Sequence, residues 1–281
     1  MGEIVASPRF FHVYQDTPRG REALQQTAFF CRIMGAAPVV YIPESSRFLM
    51  YFENRVVQVD LEGGHWGKRE RERAQSRAAE ILADAGLDAR FLEVRHRTTP
   101  ALPDIPVDFD YMACPVPLHT DSWVYSDLGM RRLPAVAPFF VLMPAPVARP
   151  WKSLLLCYGG SEGASRALKI ALGLAETMGL PLDVFGLGNP EELAASLEKT
   201  AGSGMSAIRH CLWRQETGEN PWMGIPPDAL LVLGASGKSW IREALLPSFK
   251  KKIRCWLSFP MLFVGSEGAA TFLEDFTSLR G

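Results

Sequence analysis

The stretch DALLVLGASGKSWIREALLPSFKKKIRCWLSFPMLFVG, Asp228 to Gly265, decides how this chain is read. An apolar run, Leu230 to Leu233, breaks at Gly234, and Gly237 follows three residues later. A helix-like segment leads to Pro247 and Ser248, then come a basic helix and a second apolar run, Pro260 to Val264. Glycines directly after a strand let backbone N–H groups approach a phosphate closely, and a hydroxyl opening the next helix adds a donor at its positive end. A P-loop is the competing reading of Gly234 to Ser239. That motif needs a glycine five residues before Gly237, and Val232 stands there, inside the apolar run.

The spacing of Gly234, Gly237 and Ser248 resembles the nucleotide loop of the universal stress protein family, which is Gly-x-x-Gly, nine residues, then Gly-Ser or Gly-Thr. Residues 238 to 246 supply the nine, and Pro247 takes the place of the third glycine. Proline suits the first turn of a helix but presents no N–H, and a lost charge-assisted bond weakens binding by about 1.5–3 kcal/mol. The resemblance extends upstream to LLLCYGGSEGASRALKIALGLAETMGLPLDVFGL, Leu154 to Leu187, which looks like the family's opening strand, turn, helix and strand. In the family a first-strand Asp and a hydrophobic residue 28 positions on contact adenosine; Gly159 and Leu187 hold those positions here. The resemblance therefore implies adenine near Gly159 and Leu187, with phosphates over Gly234, Gly237 and Ser248 and Lys238 close by. ATP, with Mg²⁺, is the cofactor it implies.

The helix of that unit follows from its residues alone. Ser161 is a good N-cap, and the Glu162 carboxylate suits the positive end of the helix dipole. Ala164, Ala167, Leu168, Ala171, Leu174, Ala175 and Met178 recur at helical spacing, and Gly179 supplies a stop.

The chain then repeats itself. FFHVYQDTPRGREALQQTAFFCRIMGAAPVVYI, Phe10 to Ile42, has the same layout at an offset of 144, which aligns Ala23 and Leu24 with Ala167 and Leu168, and Met34 and Gly35 with Met178 and Gly179. Thr17 and Pro18 form an N-cap and N1 pair. Asp110 to Cys114 aligns with Asp228 to Val232 at an offset of 118, and Pro138 to Leu142 with Pro260 to Val264. The falling offset places roughly 26 extra residues in the N-terminal half, around residues 45–70, as additional strand or helix.

The expected fold is α/β: two tandem domains like universal stress proteins, each a roughly five-stranded parallel sheet flanked by helices. Residues 1–146 form the first domain and 151–268 the second, divided at the Pro-rich MPAPVARPW linker. A charged helix near Lys68 to Ala85 buries Ala74, Ala78, Ile81, Leu82 and Ala85. In the first domain the stretch corresponding to the loop lacks Gly-x-x-Gly, and Pro115 and Pro117 remove N–H donors, so nucleotide is expected only in the second. Asp16 or Gln15 stands in place of the first-strand Asp there, or caps the turn.

With 281 residues and 47% hydrophobic content the chain can build real cores. Its 30 basic and 31 acidic residues leave a net charge of −1, which gives no electrostatic case for nucleic acid. No apolar run approaches a membrane span, and the first residues lack a signal-peptide core. Cys31, Cys114, Cys157, Cys211 and Cys255 are scattered among apolar neighbours and read as reduced core residues of a cytoplasmic protein. His12, His65, His96, His119 and His210 fall in no triad or metal spacing, so no catalytic residue and no metal ligand is assigned.

The resemblance implies a non-enzymatic stress-response regulator or interaction protein with weak ATP binding in its second domain. A slow ATP-hydrolysing or adenylyl-transferring enzyme is the alternative, and it requires a Mg²⁺-holding carboxylate, for which Glu162 and Glu243 are the candidates. The partner expected is a protein, with the two copies joined through their last strands as an intramolecular pseudo-dimer and a homodimer left open.

Overall fold

A computed structural model describes residues 9–14, 16–42, 47–52, 55–60, 68–92, 111–113, 140–214, 225–234 and 259–264. The chain divides into two compact units, residues 1–130 with 146–148, and residues 131–145 with 149–281.

In the first unit β1 (Arg9–Val13), α1 (Pro18–Met34) and β2 (Ala37–Tyr41) form the opening strand–helix–strand. Later come α2 (Lys68–Asp84), β5 (Arg90–Leu92) and β6 (Tyr111–Ala113). These strands make a parallel sheet in the order β6-β1-β2-β5. The extra residues of this half form an antiparallel hairpin, β3 (Arg47–Phe52) and β4 (Arg55–Asp60), in a sheet of its own. Tyr14, Leu24, Ala28, Val40 and Ile42 pack with Ala74, Ala78 and Leu82 of α2, while Ile81 and Ala85 sit half-buried at the margin. The alanine-rich stripe lets α2 come close, and its charges lie on the other face. Phe10 stacks on Tyr111 at a centroid distance of 5.7 Å, and Phe30 meets both rings edge-on at 5.7 and 5.2 Å.

In the second unit β8 (Ser153–Cys157), α3 (Glu162–Met178), β9 (Leu182–Leu187) and α4 (Pro190–Ala201) lead through a 3-10 turn into β10 (Ile208–Arg214). β11 (Ala229–Gly234) and β12 (Met261–Val264) follow. The parallel order is β10-β9-β8-β11-β12, and β7 (Phe140–Met143) adds antiparallel to β12. The linker division assigned this strand to the first half, but its contacts gather it into the second unit. Among the described residues the first unit has four parallel strands and the second five plus one antiparallel, the flanked parallel sheets that were expected.

Several local contacts of the two strand–helix–strand units recur at the offset of 144. The Thr17 hydroxyl accepts from Gly20 N at 3.0 Å and the Ser161 hydroxyl from Ala164 N at 3.2 Å. Gly35 and Gly179 both close their helices in the left-handed region, at φ 61° and 62°. Tyr14 N and Tyr158 N both donate across to the second strand of their unit, to Tyr41 O and Phe185 O, at 2.8 Å. The fourth strand needs a one-residue correction. Tyr111 lies opposite Phe10 as Leu230 lies opposite Leu154, so the counterpart of Tyr111 is Leu230 and not Ala229. Matching Asp110 to Asp228 by residue type had shifted that alignment.

Candidate functional site

Three of the six sequence-assigned binding residues stand in the described part of the chain. Gly159 follows the end of β8, Leu187 ends β9, and Gly234 ends β11. Since β9, β8 and β11 are adjacent and parallel, the topology sets all three along one edge, the carboxyl end of the sheet, where open α/β folds take their ligands. Gly237, Lys238 and Ser248 lie outside the described residues, as do Pro247 and the helix expected after it.

The local chemistry around Gly159 is already satisfied. The Tyr158 hydroxyl, on a fully buried ring, bonds Ser196 at 2.9 Å and Thr200 at 3.3 Å on α4. Gly160 turns the chain at φ 70°, a conformation that favours glycine, and Ser161 then caps α3. Leu187 is buried, and beyond it Gly188 N reaches back to the Arg214 carbonyl at 3.0 Å. Of the two carboxylates considered for Mg²⁺, Glu162 is exposed and paired with Arg166 at 3.1 Å, a contact worth about 0.3–0.5 kcal/mol. Glu243 is outside the described residues.

Gly234 has a reason to be glycine that the loop motif did not supply. A Cβ there would lie 2.5 Å from the carbonyl carbon of Gly163 and 3.0 Å from Ala164 N, in the first turn of α3. Both are backbone atoms and cannot swing aside. The bare backbone at Gly234 lets the end of β11 and the start of α3 touch, so packing alone accounts for this glycine.

In the first unit the corresponding strand end carries charge. Asp16 accepts from the Tyr14 hydroxyl at 3.2 Å and from Arg21 Nη1 at 2.8 Å. Burial and the neighbouring Asp16 carboxylate hold the Tyr14 phenol well above its ordinary range. Asp16 thus braces the turn, while Thr17 caps the helix. Gln15, Pro115 and Pro117 lie outside the described residues.

Two features escaped the sequence reading. Asp183, a carboxylate within the apolar strand β9, is buried and is held by Arg209 through Nε at 2.9 Å and Nη2 at 2.5 Å, with His210 Nδ1 at 3.2 Å. Burial raises its pKa, but the hydrogen bonds and charges of Arg209 and His210 outweigh that and hold it below the ordinary value. The single acid in LDVFGL was the available signal. Cys211 is exposed on β10, against the expectation of a core cysteine, because β10 lies at the rim of the sheet. Cys31 and Cys157 are buried as expected; burial pushes both thiols up, Cys157 to about 12. Cys114 and Cys255 are outside the described residues.

No helix among the described residues is long and apolar enough to cross a membrane. No family model matches the sequence, and no curated protein matches it. Solved structures do. A universal stress protein from Archaeoglobus fulgidus DSM 4304 superposes at a TM-score of 0.55, with 13% identity over 90% of this chain and 94% of that one. A functionally unknown protein from Pseudomonas aeruginosa PAO1 superposes at 0.51, with 15% identity over 97% of this chain and 98% of its own. These identities speak to architecture, and the architecture runs through nearly the whole length of both. The fold of this chain is that of the universal stress proteins.

Proposed function

We propose that the chain is a regulatory or interaction protein of the universal stress type, acting in the cytoplasm without catalysis and taking ATP weakly in its second unit. The observation that carries this is the alignment of Gly159, Leu187 and Gly234 on three adjacent strand ends. A base settling there meets an apolar side chain and open backbone. The hydroxyls nearest it, Tyr158 and Ser161, are engaged in holding α4 and α3. With Gly159 in place of a carboxylate, the adenosine loses a charged acceptor, which favours a weak, readily exchanged ligand. Phosphates would fall to Gly237, Lys238 and Ser248.

Calorimetric titration with ATP and Mg²⁺, paired with a turnover assay, tests this reading. Weak saturable heat that Gly237→Val removes, with no product formed, is the expected result. Hydrolysis or adenylyl transfer would replace the regulatory reading with the enzymatic one. Absence of heat or thermal shift at millimolar ATP would leave a ligand-independent interaction module.

A further inference from the structure

β10 differs from its neighbours in burial. Every residue of β8 and β9 is buried, and so are Ala229 to Leu233 of β11, whereas Arg209, His210, Cys211, Leu212 and Arg214 are exposed. Parallel strands are normally covered on both faces, so an uncovered one is unusual. Among the described strands β10 pairs with β9 alone, which leaves its other side a row of unused backbone donors and acceptors. The Arg214 carbonyl points inward, to Gly188 N. Alternation along a strand then turns the N–H and C=O of Cys211 and Trp213 outward. A register shift between Ile208 and His210 confines regular pairing to the last residues of the strand.

The charges narrow the partner. The guanidinium cations of Arg209 and Arg214 are exposed along this edge, with the His210 imidazole exposed between them, and among the described residues Asp183 is the one carboxylate held there. A second copy of β10 added across a two-fold axis would set these cations near their own images, and like charges across strands repel. An extended segment with acids at alternate positions would meet them favourably, with Leu212 offering apolar contact. We propose that β10 is a docking edge for a short, extended, acidic segment of a partner protein, added as a further strand. This rests on the interaction role proposed above and names the chemistry of its partner.

The probes are a synthetic Val-Glu-Val-Glu-Val-Glu-Val peptide and its Lys counterpart, each added to the full chain and followed by amide hydrogen exchange. The acidic peptide is expected to slow exchange at Cys211 and Trp213 by about tenfold or more, and the Lys peptide to leave it unchanged. Cys211→Pro removes one outward N–H and should abolish the effect; proline is tolerated at such edge positions. Should that variant fail to fold, Arg214→Glu decides the matter, since it should weaken the acidic peptide and admit the Lys one. Slowing by both peptides alike, by neither, or by raised protein concentration without peptide would overturn the proposal. ATP titration of the same samples separates the two ideas: retained ATP heat with no peptide effect sinks the docking edge alone.

Discussion

His12 stands fully buried in β1, with Nδ1 3.0 Å from the Thr27 hydroxyl and no partner for Nε2. Burial lowers its pKa from 6.5 to about 3, because the imidazolium would lose its hydration. The unfolded chain therefore takes up this proton first. Its contribution is fully present above about pH 6.5 and is lost as pH falls towards 3, at up to about 1.4 kcal/mol per unit. The other copy places Leu156 and Ala171 at the equivalent positions, so His12→Leu with Thr27→Ala is a substitution the fold already contains. We expect the double variant to lose much of the decline in stability between pH 7 and 5, read by urea denaturation. An unchanged slope would refute the assignment. Gly234→Ala belongs to the same scale. Its Cβ would meet Gly163 backbone, and overpacking of this kind costs about 1–3 kcal/mol. The loss should appear in thermal melts without any ligand, which a purely phosphate-binding glycine would not produce.

At the scale of elements, α1 and α3 carry matching caps, a side-chain acceptor at the start and a left-handed glycine at the end. Thr17→Ala and Ser161→Ala should each cost about 0.5–2 kcal/mol, because each removes the acceptor for a first-turn N–H. Chemical denaturation of the two variants checks this, and a negligible loss at either would show that cap to be idle. These helices were legible because caps, apolar spacing and stop glycines are written within a few turns of chain. The hairpin β3–β4 was legible only as additional structure, since its apolar run gave no decisive period. The exposure of Cys211 was not legible for another reason. Ile208, Cys211, Leu212 and Trp213 look like a buried strand, but exposure comes from the strand's place at the rim, which sequence order sets and local pattern does not. The candidate site divides in the same way. The spacing of Gly159 and Leu187 followed from a local unit. The role of Gly234 depends on Gly163, some seventy residues earlier, and no local motif reports that contact.

At the scale of the molecule, the strand that closes the first half of the sequence pairs with the strand that closes the second. Leu142 lies opposite Leu262, with Met143 opposite Met261 and Val141 opposite Phe263. Leu142 and Leu262 are both fully buried, and fully burying such a side chain stabilises by about 1.5–3 kcal/mol. This pairing lies within the second unit and occupies the side of β12 away from β11. β12 then has β11 on one side and β7 on the other, and no edge remains on it for a second chain. Two outcomes follow. Light scattering should find a monomer at micromolar concentration in the absence of partner. A double-mutant cycle on Leu142→Ala and Leu262→Ala should give a coupling energy of about 0.5–3 kcal/mol, since directly opposed residues do not act independently. Single losses that simply add, together with a stable dimer in solution, would mean that β7 and β12 do not close this edge as a pair.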